Sequence, residues 1–317
     1  MEKAKKPKMV IIGGGTGLSV LLRGLKKYPV DITTIVTVAD DGGSSGRLRD
    51  ALEIPPPGDV RNVLAALSDV EPLVEELFQH RFTTGEGLAG HALGNLLLAG
   101  MTSITGDFFH AITEMSKVLN VRGRVLPAAN QSVVLHAEFE DGEVVTGESK
   151  IPYCGKKIRR VFLTPEHVEP LSETLNEIRK ADLIVLGPGS LYTSIIPNLI
   201  VKKIGAAVLE AKAKKVYVCN VMTQAGETLG YTAADHVQAL HQHVGGDFIH
   251  TIIVNNKEIP ARLLKRYEKE MAAPVLCDEA RLQQLGIEVI QDRLVKYDGD
   301  VVRHDTLKLA SILYSLL

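Results

Sequence analysis

The 317-residue chain is 45% apolar and 23% charged, and its 36 Lys and Arg nearly cancel 38 Asp and Glu, leaving a formal charge of −2. That length and apolar content imply a sizeable core, arranged as one large α/β domain or two ordinary ones. The charge balance argues against a whole-protein electrostatic grip on DNA or RNA, while still allowing a local basic pocket.

The N-terminal "MEKAKKPK" is charged and lacks the apolar region and small-residue cleavage site of a signal peptide, and the apolar "MVII" after it falls far short of a membrane span. Cys154, Cys219 and Cys277 are far apart and odd in number, which points to reduced thiols rather than a disulfide framework or a CxxC metal site. The expectation is a soluble, cytoplasmic protein without a membrane span.

In chain order, "KMVIIG" (8–13) predicts a strand and 17–27 a helix, with Leu18, Leu21, Leu22 and Leu25 at helical spacing. "ITTIVTVA" (32–39) is β-branched and almost continuously apolar, the pattern of a strand covered on both faces. A helix follows at 60–68 with Asp59 as its N-cap, then a helix pair at 71–80 and 91–104. From about 120 to 163 the pattern is antiparallel, with Asp141-Gly142 marking a hairpin, and reads as an insertion or subdomain. Helix 169–180, strand 183–187, helix 199–212, strand 215–220, helix 232–243 and strand 248–254 restore the alternation, and a helix closes the chain after "YDGD". The predicted fold is a single Rossmann-like, doubly wound α/β domain over 1–317, with a mainly parallel sheet and a β-hairpin insertion at about 120–163.

The glycine loop Gly13, Gly14, Gly15, Thr16, Gly17 lies between the first strand and the first helix. Without Cβ atoms its amides can approach a phosphate, and the helix N-terminus adds the positive end of its dipole. It matches the dinucleotide fingerprint only in part, because Leu18 stands where that fingerprint has Gly or Ala, and it is not a Walker loop. "ADDGGSSGRLR" (39–49) follows the second strand, so Asp40 and Asp41 are expected opposite the glycine loop, accepting from ribose hydroxyls or seating Mg²⁺, with Arg47 as an anion clamp. Asp59, Arg61 and Asn62 lie at a helix start, and His91 and Asn95 are four apart, the spacing of one helical face. Gly187, Gly189 and Ser190 form a second anion nest, and Asn220, Thr223, Gln224 and Glu227 follow another strand. Near the C-terminus, Arg262, Lys265, Tyr267 and Arg303 offer cations for a diphosphate and a ring for a uracil, provided that segment folds over the crevice.

"IIGGGTGLSVLLRGLK", "TVADDGGSSGRLR", "PPPGDVRNVLAALS", "GHALGNLLLAG" and "LGPGSLYTSIIPNL", in this order along nearly the whole chain, resemble the YvcK family of bacterial gluconeogenesis factors, related to CofD, the 2-phospho-L-lactate transferase. The resemblance implies a Rossmann-like core that binds a UDP-sugar such as UDP-N-acetylglucosamine, and a role in cell shape and wall synthesis during gluconeogenic growth. It carries Gly13–Gly17, Asp40, Asp41 and Asn220 over as ligand-binding positions, with the Asp pair as the seat of a divalent metal if one is retained. The expected partners are the nucleotide-sugar and a regulatory protein, with a homo-oligomer allowed and no nucleic acid. Three functions compete: a ligand-binding regulator without catalysis, a Mg-dependent transferase of a phosphate-bearing group, and an NAD-binding oxidoreductase. The lack of an evident proton-transfer group beyond His91 favours the first.

Overall fold

A computed structural model describes residues 6–317, so most of the charged N-terminal run, positions 1–5, lies outside the described residues. The chain opens with β1 (Lys8–Gly13), α1 (Gly15–Leu25) and β2 (Asp31–Val36). Five helices follow, α2 (Gly43–Leu52), α3 (Gly58–Leu67), α4 (Pro72–Gln79), α5 (Leu93–Thr105) and α6 (Phe108–Val118), and then β3 (Arg124–Pro127). Next come β4 (Val134–Phe139), β5 (Val144–Thr146) and β6 (Ile158–Thr164), with a 3-10 turn at Ile151–Tyr153 between the last two. The second half comprises α7 (Ser172–Lys180), β7 (Leu183–Leu186), α8 (Ile196–Leu199), α9 (Lys202–Glu210), β8 (Lys214–Val218), α10 (Ala233–Val244) and β9 (Thr251–Asn255). The chain ends with α11 (Ala261–Lys269), α12 (Glu279–Gln284), β10 (Glu288–Asp292), the hairpin β11 (Val295–Asp298) and β12 (Val301–His304), and α13 (Thr306–Ser315).

Seven strands form one parallel sheet in the order β10-β9-β8-β7-β1-β2-β3. Strand order reverses between β1 and β7, so their carboxyl ends diverge there and open a crevice, the place where such sheets bind ligands. Met9, Ile11, Ile12, Ile184 and Val185 are wholly buried, as expected for strands covered on both faces. The apolar stripe of α1, Leu18, Leu21, Leu22 and Leu25, is buried in the main hydrophobic core, and each such leucine contributes about 1.5–3 kcal/mol. On its far side α1 meets α13: a Cβ on Gly24 would lie 2.7 Å from the Thr306 methyl carbon, so the closing helix sits directly on the first one.

Three expectations are corrected. The glycine and serine run behind Asp40 and Asp41 reads as a flexible, donor-rich loop, but α2 begins at Gly43, with Ser44 and Ser45 buried in its first turn. The first strand of the expected insertion, β3, is a parallel edge of the main sheet, and only β4, β5 and β6 make the separate antiparallel sheet around Asp141-Gly142. Asp59 does not cap α3; the N-cap is Pro57 and Asp59 stands in the first turn.

Candidate functional site

A cavity of about 680 Å³ lies at the strand-order reversal, within the range of small-molecule sites. Its floor is built from the loops that leave three adjacent strands: Gly14–Gly17 after β1, Pro188–Ser190 after β7, and Asn220–Gly226 after β8. One wall is the 3-10 turn of the small sheet, through Pro152, Tyr153 and Gly155. The other is the C-terminal strap, through Tyr267, Glu270, Met271, Arg303 and His304.

The first helix begins on Gly14, whose missing side chain supplies no cap, and no acidic residue stands in the first turn. Amide donors and the positive dipole end therefore face the cavity, the arrangement that binds anions. Glycine is required for close approach between loops: a Cβ on Gly17 would lie 3.0 Å from the Pro188 carbonyl oxygen. The second and third loops are tied by side chains, because Gln224 Nε2 donates to Ser190 Oγ (2.8 Å) and Asn220 Nδ2 donates to Gln224 Oε1 (3.3 Å). Thr223 joins the floor to the strap: its amide donates to the Ala273 carbonyl (2.7 Å) and its hydroxyl accepts from the Ala273 amide (2.9 Å). Behind the second loop, buried Glu227 accepts from the Tyr192 amide and the Thr193 hydroxyl, both at 3.0 Å, so it caps that turn from inside while burial pushes its carboxyl up to about 7.

The strap brings a cation. Exposed Arg303, on β12, has only a loose ion pair with Asp298 at 3.6 Å, which leaves its guanidinium available to a phosphate. The Tyr267 hydroxyl accepts from the Val302 amide (3.0 Å), which fixes α11 to the hairpin as well as lining the cavity. His304 Nε2 donates to the Cys219 carbonyl (3.2 Å), and burial lowers its pKa to about 4, so it stays neutral and acts as a tether. Arg262 pairs with Asp300 at 3.4 Å, and neither it nor Lys265 lines the cavity.

Of the expected ligand residues, Gly14, Gly15, Thr16, Gly17, Gly189, Ser190, Asn220, Thr223, Tyr267 and Arg303 meet in this one cavity. Gly13 and Gly187 sit beneath it: Gly13 ends β1, its carbonyl accepting from the Thr37 amide, and the Gly187 amide donates to the Ile12 carbonyl. Asn95 and His91 meet through Ser44 rather than along a helix face, because α5 starts only at Leu93; Asn95 Nδ2 and His91 Nδ1 both reach Ser44 Oγ at 3.0 Å. Asn62 accepts from Arg61 (2.8 Å), and the Arg47 guanidinium donates to the Ala89 carbonyl (2.9 Å), so neither lies in the cavity.

The twin acids part company. Asp41 Oδ1 accepts from the Ser149 amide (2.8 Å), and its other oxygen fills the space beside Gly147, so it anchors the small sheet. Asp40 Oδ1 accepts from the Gly42 amide (2.9 Å), and its Oδ2 faces Gly58, next to Asp59. The Asp59 carboxyl is wedged against Gly14 and is raised to about 7 by burial and by Asp40. Glu148, which the sequence reading did not single out, is raised to about 8 by burial and by Asp40, Asp59, Glu227 and Asp41. These carboxyls do not line the main cavity but form an acidic layer behind its glycine floor. Among the described residues no three His, Cys, Asp or Glu side chains are grouped as a metal site, and Asp40 and Asp41, expected as a pair, have different partners.

Sequence reading also missed Gln224 as a bridge, His304 as a tether and Tyr153 as a wall. The signal for the last was "KIPYCGKK", a proline turn with a lone aromatic, hidden by treating 120–163 as a unit apart. The family described as "2-phospho-L-lactate transferase CofD" matches residues 9–295. A protein described as "Gluconeogenesis factor" from Bacillus subtilis (strain 168) is 70% identical over 313 residues, 99% of each chain. Another of that description, from Halalkalibacterium halodurans, is 63% identical over 306 residues, 96% of this chain and 95% of the relative. The crystal structure of a UPF0052 family member from Bacillus halodurans superposes with a TM-score of 0.95 at 62% identity, covering 97% of this chain and 99% of that one.

Proposed function

The chain belongs to the CofD family, in its gluconeogenesis-factor branch, also called YvcK or UPF0052, and from that premise we propose that it binds a nucleotide-sugar of the UDP-N-acetylglucosamine type and acts as a cytoplasmic regulator. One observation carries this reading: three loops at the strand-order reversal bring helix-start amides, Asn220 and Gln224 to a single cavity that the strap completes with Arg303. The diphosphate would lie on the Gly14–Gly17 and Pro188–Ser190 loops, with Arg303 closing over it from the strap. Asn220 and Gln224, already bonded to each other and to Ser190, present amide groups for the hydroxyls of a sugar or the edge of a base. Occupancy would draw the strap and the small sheet together, and a regulatory protein reads such a change if it binds one of the two arrangements better. A role in cell shape and wall synthesis during gluconeogenic growth follows from this reading.

A second reading, a Mg-dependent transferase of a phosphate-bearing group, is favoured by the carboxyls behind the glycine floor. Burial first and the neighbouring Asp40 second raise Asp59 to about 7, and a divalent cation would relieve the repulsion between the two carboxyls. Mg²⁺ commonly takes one or two carboxylates and completes its shell with water and substrate phosphates, so the Asp40–Asp59 pair fits it and Asp41 does not. When bound, the ion would supply charge neutralisation at the phosphates. Against this reading, His304 is held neutral and tethered, and Asp59 lies behind the glycine floor and does not line the cavity.

Isothermal titration with UDP-N-acetylglucosamine, with and without Mg²⁺, followed by a product search, separates the two. Saturable binding without product after long incubation supports the regulator. Product formation overturns it in favour of the transferase.

A further inference from the structure

Tyr153 is 89% exposed, the most exposed large apolar or aromatic side chain among the described residues, yet the turn that carries it is held at several points. Ile151, at the start of that turn, is wholly buried. The Pro152 carbonyl presses so close to Gly226, at φ +76°, that any side chain at 226 would collide with it. The Tyr153 amide donates to the Lys150 carbonyl (3.1 Å) and the Cys154 amide to the Ile151 carbonyl (3.2 Å). Two residues upstream of Ile151, the Ser149 amide is held by Asp41. A bare ring on a rigid support at the edge of a polar cavity has paid its ordering cost in advance, which is what a stacking platform requires.

The other two rings on the cavity, Tyr267 and His304, are each held by other parts of the chain. Tyr267 is part-buried against the satellite cluster of Val221, Met222, Ile259 and Leu263, and its hydroxyl is taken by the Val302 amide. His304 is tethered to the Cys219 carbonyl, so Tyr153 is the most exposed ring on the cavity. We propose that Tyr153 is the stacking face for the planar base of the bound nucleotide, and that it makes the cavity prefer nucleoside diphosphates over base-free diphosphates. This rests on the nucleotide-binding reading above and adds to it the residue that recognises the base. Neither the strap nor the glycine loops supply that discrimination, because both engage the phosphates that the two ligands share.

The chain contains no tryptophan, so Tyr153→Trp introduces a single indole at the proposed contact, on an exposed position that tolerates it. UDP and inorganic pyrophosphate are titrated into this variant by fluorescence, and into the parent protein and Tyr153→Ala by calorimetry. UDP is expected to quench the indole and pyrophosphate to leave it unchanged. Tyr153→Ala is expected to weaken UDP about tenfold or more, the usual effect of losing one base-aromatic stack, with pyrophosphate affinity unaltered. UDP binding that is insensitive to Tyr153→Ala and leaves the indole unquenched overturns the proposal while the nucleotide reading stands. Parent protein that binds pyrophosphate but not UDP overturns both.

Discussion

The Asp59 carboxyl occupies the space that a Cβ at residue 14 would need, so Gly14 joins the anion-binding floor to the acidic layer behind it. The Thr37 methyl carbon confines the same spot at 2.7 Å. One missing side chain therefore lets the chain place helix-start amides on one side of a single layer of backbone and a cluster of carboxyls on the other.

Gly14→Ala is expected to push Asp59 and the first turn of α1 apart. Overpacking of this kind costs about 1–3 kcal/mol. The variant should melt several degrees lower than the parent and lose UDP affinity more than tenfold, as read by thermal melts and calorimetry. Unchanged melting and binding would show that the floor has slack the structure does not show.

The pH dependence of stability has a definite sign. Asp59 and Glu227 at about 7 and Glu148 at about 8 keep protons in the folded state that the unfolded chain releases near pH 4. Stability from these groups is therefore fully present at low pH and falls as pH rises towards 8. His236, His241, His243 and His304 act oppositely, since their pKa values are lowered from 6.5 and their contribution is complete only above that value. The carboxyls are thus expected to dominate between about pH 6.5 and 8, where the melting temperature should decline in metal-free buffer. Asp59→Asn with Glu148→Gln should flatten that decline, and an unaltered slope would contradict the assignment.

Asp41 is expected to matter through the small sheet rather than through ligand or metal. Asp41→Ala frees the Ser149 amide and unpins the turn that carries Pro152 and Tyr153. Faster hydrogen exchange at residues 147–155, with Mg²⁺ dependence of binding unchanged, is the expected outcome. Loss of Mg²⁺ dependence in this variant alone would return Asp41 to the metal seat.

Arg303 is exposed and loosely paired, so its removal should leave folding nearly intact. Arg303→Gln is expected to raise the Kd for UDP about tenfold to a hundredfold, in line with the loss of a charge-assisted contact to phosphate. Equal affinities would place the diphosphate away from the strap.

The sheet was legible because its strands are continuous apolar runs and α1 carries leucines at a strict helical period, patterns that tertiary context reinforces. The cavity floor was legible for a related reason: glycine-rich loops after strands have few other uses. The acids were harder. Asp40 and Asp41 are adjacent in sequence, but successive side chains point apart, so one met Asp59 and the other the small sheet. Asp59 read as an N-cap because its spacing suits one, whereas its actual partner, Gly14, lies 45 positions earlier (59 − 14) and is specified only by the fold. α2 escaped notice because Gly43, Ser44, Ser45 and Gly46 are poor helix formers, held helical by burial and by the His91–Ser44–Asn95 contacts. Tyr153 had only a weak local signal, since a proline turn with a lone tyrosine is ordinary until the loop beside it is known.

Amide hydrogen exchange with and without UDP-N-acetylglucosamine tests the central claim most directly, because the claim is about which backbone groups face the ligand. Protection confined to residues 14–17, 188–190 and 220–226, with added protection in the strap at 267–272 and 302–304, is the predicted result. Saturable binding that leaves those segments unprotected, or protects the far side of the sheet instead, would contradict it.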